Sequence, residues 1–267
     1  DQSEVALNAV DDLERLVAGL STVDGIEDLT LTTNGYLLAE TAADLAAAGL
    51  NRVTVSLDSL DPHIFKELNG RGLEVERVLD GIDAAERANL TPIKINCVVI
   101  RGINESSVLD MTEHFKGSGH IVRFIEFMDV GTRNAWNLER VVGADEIIRT
   151  IDERMPLVAV EPHHEGEVAT RYRYRDGDGE VGVIASVTRP FCASCTRARI
   201  STDGRLVTCL FAASGTDLKG PLRQGATDRE LEALIRGVWH DRNDRYSELR
   251  EAGTEKSSHI EMYELGG

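Results

Sequence analysis

Cys192-Ala193-Ser194-Cys195, followed after thirteen residues by Cys209, constrains this chain most. Two thiols this close meet one centre only from a tight turn, and the third returns on the next strand, so the stretch predicts a hairpin built around a metal. Arg197 and Arg199 lie between them; if Thr196 to Ser201 is extended, both face the same way. Three soft ligands and two cations in so short a stretch predict a metal centre beside an anionic ligand. A structural zinc with a fourth ligand and an iron–sulfur cluster are both compatible with the trio. No histidine or fourth cysteine lies close by to complete a zinc tetrahedron, and His163 and His164 approach only through the fold. Cys97, in the strand-like run Ile93-Lys94-Ile95-Asn96-Cys97-Val98-Val99, reads as a buried small hydrophobe.

The remaining composition narrows the classes. A chain of 267 residues can bury a large core as one α/β domain or two unequal ones. A formal charge of -17 argues against a general nucleic-acid binder, which needs a net basic surface, while leaving room for one small polyanion in a local basic pocket. No apolar run approaches the roughly eighteen residues of a membrane span and no signal peptide opens the chain, so no membrane partner and a cytoplasmic location are expected. Disulfides are rare there, which again favours metal ligation for the cysteine trio.

Up to about residue 130 helical and extended patterns alternate. Strands are predicted at Leu29–Thr33, Arg52–Leu57, Ile93–Ile100 and Ile121–Phe127. Between them lie helices marked by Leu45, by Val75, Val78, Leu79 and Ile82, and by Val108 to Phe115, after a first helix marked by Leu13, Leu16, Val17 and Leu20. Strand, helix, strand with short links is the signature of a parallel sheet with right-handed crossovers. Ligands of such sheets bind at the carboxyl ends of the strands, where Thr32, Thr33 and Asn34, Ser56 and Asp58, Lys94 and Asn96, and Arg123, Glu126, Met128 and Asp129 gather. Lys94 opposite such residues is expected to face a barrel lumen. After a helix marked by Ile147, Ile148 and Ile151 the pattern changes. Leu157–Val160 is a strand, and Val168–Arg175 with Glu180–Val187 across Asp176-Gly177-Asp178-Gly179 is a hairpin, as is Thr196–Ser201 with Arg205–Leu210 across Thr202-Asp203-Gly204. A helical tail carries Leu218, Leu222, Leu231, Leu234, Ile235, Val238 and Trp239. Arg171-Tyr172-Arg173-Tyr174-Arg175 alternates as a half-solvated strand does, Gly70-Arg71-Gly72 is too short for a phosphate loop, and Trp136 in the loop 131–137 is either a closing element or a core anchor.

Four segments make a more specific match: Leu31-Thr32-Thr33-Asn34-Gly35, Val55-Ser56-Leu57-Asp58, Arg123-Phe124-Ile125-Glu126-Phe127-Met128-Asp129 and Phe191-Cys192-Ala193-Ser194-Cys195-Thr196-Arg197-Ala198-Arg199. Together with Asp241 to Ser247 and the terminal Gly266-Gly267, they resemble the GTP 3′,8-cyclase family, radical S-adenosylmethionine (SAM) enzymes that open molybdenum cofactor biosynthesis. The resemblance runs from about Asp11 to the end of the chain. It implies an α/β fold: an incomplete (β/α)6 TIM-like barrel over residues 1–150, then an antiparallel and helical region, 151–267, carrying an auxiliary cluster and substrate contacts. It further implies two [4Fe–4S] clusters at opposite ends of the cavity, SAM as cofactor, GTP as substrate, an electron donor, a possible homodimer and coupling to the next enzyme of cofactor synthesis. By resemblance Cys192, Cys195 and Cys209 hold the auxiliary cluster. Thr32, Lys94, Arg197, Ala198 and Arg199 match residues around GTP, Ser56 and Met128 match residues around SAM, and Arg123 lies in the strand suited to the polyanionic substrate. The terminal glycines resemble a tail that reaches into the site.

The chain departs from the family pattern in lacking its Cys-x3-Cys-x2-Cys and Gly-Gly-Glu-Pro segments; Asp1 to Val10 does not resemble what precedes Asp11 in the family. The expectation is therefore that the SAM-cleaving cluster is missing and that these residues alone are inactive. Two rival readings remain: another radical SAM enzyme with an auxiliary cluster, and a non-catalytic zinc-stapled binding module. The paired arginines favour a phosphate-bearing substrate.

Overall fold

The computed structural model describes residues 13–70, 72–130, 135–164, 166–249 and 260. Asp1 to Val10, Arg71 of Gly70-Arg71-Gly72, loop residues 131–134 and the terminal glycines lie outside the described residues. Two compact units result. The first runs through Glu126 and takes in Val142–Glu161 and Ala169–Ile184; the second comprises Phe127–Val141, Pro162–Val168 and the chain from Ala185 onward.

In the first unit a helix over 13–21 (α1) leads to β1 (Thr30–Thr33), and then strands and helices alternate. The order is α2 (Leu38–Ala47), β2 (Arg52–Ser56), α3 (Pro62–Asn69), α4 (Val75–Arg87), β3 (Lys94–Val99), α5 (Ser107–Phe115), β4 (Ile121–Glu126) and α6 (Ala144–Asp152). β5 (Leu157–Val160), β6 (Thr170–Tyr174) and β7 (Glu180–Ile184) complete a seven-stranded sheet of order β1-β2-β3-β4-β7-β6-β5. β1 to β4 are parallel neighbours, β7 joins β4 in parallel, and β6 and β5 follow antiparallel. The predicted hairpin β6–β7 is thus present, and its second strand also extends the parallel sheet. This mixed sheet fits a partial (β/α) barrel followed by a helical C-terminal extension.

The sequence explains the sheet's two faces. Val53, Val55, Ile95, Cys97, Val99, Val122, Phe124, Val181 and Val183 recur at every second strand position and are buried, a large side chain among them stabilising the fold by roughly 1.5–3 kcal/mol. Helices cover this face: a Cβ on Gly35 would meet Val78 of α4 and Val55 of β2 at 2.9 and 3.0 Å, and Gly35, at φ 76°, makes the turn that lets α4 approach. Glu126, buried on the same face, is a strand-end residue serving structure: its Oε1 accepts from the Ala144 N–H at 2.7 Å, at the positive end of α6. α3 was not expected, although Asp61-Pro62 is a helix-start signal; Asp61 caps it by accepting from the N–H groups of His63 and Ile64. Arg171 and Arg173 of the basic-aromatic strand pair with Glu180 across the hairpin.

The second unit is built from short pieces. A 3-10 turn spans Cys192–Ser194, and β8 (Arg199–Ile200), β9 (Arg205–Val207) and β10 (Thr216–Asp217) form a three-stranded antiparallel sheet. The predicted cysteine hairpin is the pair β8–β9, shorter than expected. α7 (Lys219–Arg223), α8 (Asp228–His240) and α9 (Tyr246–Leu249) follow, α8 opening with a capping box between Thr227 and Glu230. Among the described residues no helix is long and apolar enough to cross a membrane.

Candidate functional site

The face of the sheet opposite the helices carries the polar residues. Register sets Thr32 beside Thr54, Thr54 beside Lys94 and, two residues on, Ser56 beside Asn96, Asn96 beside Arg123 and Arg123 beside Gly182. Side chains two apart on a strand share a face, so Thr32, Ser56, Lys94, Asn96 and Arg123 all project from one side. Thr32 and Ser56 are exposed there, while Lys94, Asn96 and Arg123 are half-buried. Arg123 Nε donates to Asn96 Oδ1 at 3.0 Å, which fixes the guanidinium along the sheet. Gly182 makes the space: a Cβ there would lie 3.2 Å from Arg123 Cγ and 3.3 Å from Ala169 Cβ. Nothing in the local pattern marks this glycine, because only the β4–β7 pairing brings it under Arg123.

Beneath this face a buried polar network ties β2 to β3. Asp58 Oδ1 accepts from the Val98 N–H at 2.8 Å, and Asn104 Nδ2 donates to the carbonyls of Asp58 and Val98 at 2.8 and 2.9 Å. Burial pushes the Asp58 carboxyl up to about 6, against the opposing pull of the Val98 N–H. Cys97 is fully buried, its thiol pushed well above the usual range by burial and then by Asp58, and takes the packing role expected of it.

In the second unit, Cys192 and Cys195 bracket the 3-10 turn, the Cys195 N–H donating to the Cys192 carbonyl at 3.2 Å. Arg197 Nε donates to Cys195 Sγ at 3.3 Å and its guanidinium lies 5.2 Å from the Phe191 ring centre. The Phe211 N–H points at Cys209 Sγ at 3.5 Å. Burial pushes the Cys195 thiol up, but bonds from Arg242 and Arg197 outweigh it and leave the thiol lowered to about 7. Burial raises Cys209, with Asp244 and Cys192 adding to it, and burial lowers Arg199, with repulsion from Arg197 adding to it. Arg197 and Arg199 are both half-buried while Ala198 and Ile200 are exposed, the alternation their spacing predicts. Cys195 and Cys209 therefore share one electrostatic neighbourhood with Arg197, Arg199 and Arg242, and Cys192 joins it through Cys209. Arg242 is 47 residues from Cys195 and no local spacing pointed to it.

Two further contacts shape this loop. Gly166, at φ 81°, packs so closely that a Cβ would meet the Ser194 carbonyl at 3.0 Å. Ala193 N–H donates to Glu248 Oε1 at 2.9 Å. Among the described residues no three His, Cys, Asp or Glu side chains are gathered as ligands of one metal ion, and neither His163 nor His164 completes such a set. Met128 follows β4 and is half-buried; next to it Asp129 Oδ2 accepts from the Tyr246 hydroxyl at 2.8 Å. Trp136, half-buried, donates its indole N–H to the Phe127 carbonyl at 2.8 Å.

Comparison with known proteins identifies the family. Residues 5–115 match the Radical SAM superfamily and residues 120–248 match Molybdenum Cofactor Synthesis C. The chain is 50% identical over 256 residues to the GTP 3′,8-cyclase of Xanthomonas axonopodis pv. citri, covering 96% of this chain and 76% of that protein. It is 50% identical over 243 residues to the GTP 3′,8-cyclase of Acidothermus cellulolyticus, covering 90% and 67%. It is 43% identical over 260 residues to that of Staphylococcus aureus, covering 96% and 76%. Identity at this level across three distant bacteria, over nearly the whole chain, shows that the chain belongs to the GTP 3′,8-cyclase family of radical SAM proteins.

Proposed function

We propose that these residues are the substrate-binding and auxiliary-cluster part of an enzyme that converts GTP to (8S)-3′,8-cyclo-7,8-dihydroguanosine 5′-triphosphate, the first reaction of molybdenum cofactor biosynthesis. The observation that carries the reading is the cysteine neighbourhood: Cys195 and Cys209 beside Arg197, Arg199 and Arg242, with Cys192 across the same turn, in a chain whose other half carries a polar sheet face. When bound, SAM and its reducing cluster supply abstraction of the ribose 3′ hydrogen, which sets up attack on guanine C8. The chain's residues bind and orient. Lys94, Arg123, Arg197 and Arg199 offset triphosphate charge in an otherwise acidic protein, Thr32 and Ala198 contact GTP, and Ser56 and Met128 contact SAM.

Cys192, Cys195 and Cys209 would hold the auxiliary [4Fe–4S] cluster, leaving one iron without a protein thiolate and open to the purine. The donor set supports this over a single zinc. A structural zinc takes a fourth protein ligand, and no histidine or fourth cysteine lies close to the trio in sequence. The Arg197 and Phe211 N–H groups aimed at the sulfurs, with three cations near them, instead suit a charged cluster. The SAM-cleaving cluster takes its ligands from a motif these 267 residues do not contain, so only the auxiliary cluster is argued from them. The same reading implies a cytoplasmic protein with an electron donor, self-association as a candidate homodimer, and delivery of product to the next enzyme of the route.

Metal analysis tests the proposal. Anaerobically reconstituted protein should be brown, with about four irons per chain at the trio. A colourless protein holding one zinc would establish the stapled module instead.

A further inference from the structure

Near the end of the described chain, Arg242-Asn243-Asp244-Arg245-Tyr246-Ser247-Glu248 sends alternate side chains to the cysteine loop. Arg242 Nη1 donates to the Cys195 carbonyl at 2.6 Å, and its Nε pairs with Asp244 at 3.2 Å. Asp244 Oδ2 accepts from Thr208 Oγ1, beside Cys209, at 2.6 Å. Tyr246 stacks on Phe211, whose N–H faces Cys209 Sγ, with ring centres 4.5 Å apart. Glu248 accepts from the N–H of Ala193, beside Cys192. Four residues of one short segment thus reach the immediate neighbours of all three thiols.

The chemistry of these contacts is specific. A guanidinium can donate to a carbonyl through one nitrogen and hold a carboxylate through another in fixed geometry, so Arg242 locks Cys195 to Asp244, and Asp244 in turn locks Thr208. The cysteine loop itself has little regular structure, only a 3-10 turn and a two-residue strand, so its shape comes from these distant side chains. Arg242 is only 12% exposed, which preserves the strength of its charge.

We propose that Arg242, Asp244, Tyr246 and Glu248 form a clasp that holds the backbone around Cys192, Cys195 and Cys209 in place for cluster binding, and that Arg242 balances the negative charge of the centre they hold. They are positioning residues, and the inference rests on the cluster reading above. The clasp predicts two separable effects. Loss of its geometry speeds cluster loss, and loss of its charge makes reduction of the cluster harder, moving its potential to more negative values.

The test uses anaerobically reconstituted protein, with iron release to a chelator followed over time and the midpoint potential read by EPR-monitored titration. Arg242→Gln should release iron about tenfold faster and shift the potential negative, since a charged hydrogen bond and a cation are both lost. Arg242→Lys should release iron faster too, but keep the wild-type potential, because charge remains while the fork is lost. Glu248→Ala should accelerate release several-fold, and Glu248→Gln, which keeps an acceptor for the Ala193 N–H, should restore it. Arg236→Gln, an exposed α8 position paired with Glu232, should change neither reading. Wild-type release and potential in Arg242→Gln would overturn the clasp alone. Faster release with an unmoved potential would overturn the charge role and reduce Arg242 to a structural contact. A wild-type protein that takes up no iron would overturn the cluster reading and the clasp together.

Discussion

The polar sheet face and the cysteine loop are held by different physics. Thr32, Ser56, Lys94 and Arg123 ride on a backbone ladder whose register aims their side chains whatever their identity. Cys192, Cys195 and Cys209 sit on short pieces with few ladder bonds, and side chains from far along the chain give the loop its shape. A ladder-borne site is damaged mainly by crowding or by loss of the functional group itself. A loop-borne site is also damaged by loss of residues that touch no ligand.

The largest expected effect tests the loop. Cys209→Ser should abolish stable iron retention at the trio, and an unchanged iron count would remove this cysteine from the ligand set. Next come the cations beside it. Arg197→Ala or Arg199→Ala should weaken GTP by about tenfold to a hundredfold while sparing guanosine, because charge-assisted phosphate contacts are lost. Equal loss for both ligands in a binding titration would contradict that role.

The sheet side makes a pH prediction. Asp58 binds its proton more tightly in the folded state, its folded value being about 6 against 3.8 for an ordinary aspartate. Its contribution therefore favours folding most below about pH 4 and is lost as pH rises through 6, by about 2–3 kcal/mol in all. Carboxylates lowered by their partners, such as Glu146 beside Arg101, work in the opposite direction, so the comparison is between wild type and Asp58→Asn. Urea unfolding across that window should show the gap between the two growing with pH in favour of the variant; a constant gap would place Asp58 in a solvated setting. The smallest effect is crowding. Gly182→Ala should cost about 1 kcal/mol and weaken GTP a few-fold by displacing Arg123, with a double-mutant cycle against Arg123→Ala showing coupling. Additive losses would mean the two residues do not share that space.

These differences also explain what was legible in the sequence. Period-two and period-three-to-four patterns revealed β1 to β4 with α2, α4 and α5, and the shared face of Lys94 and Asn96 followed from strand geometry alone. The two hairpins and the alternation of Arg197 with Arg199 were legible for the same reason. The pairing of β7 with β4 was not, because register between strands distant in sequence leaves no local trace; with it went the role of Gly182 under Arg123. Glu126 looked like a ligand-end residue, yet it faces the helices and caps α6, a choice made by burial rather than by strand position. The contacts of Gly166 with the Ser194 carbonyl and of Arg242 with the Cys195 carbonyl were hidden for a further reason, since every residue carries a backbone carbonyl and no spacing encodes which one is approached.

The most direct test is GTP affinity measured on the same anaerobic preparation with the trio loaded and after the iron has been stripped by chelation. The account predicts tight binding with the cluster in place and a loss of at least about tenfold without it, the open iron being a contact for the purine. Equal affinity in the two states would contradict it.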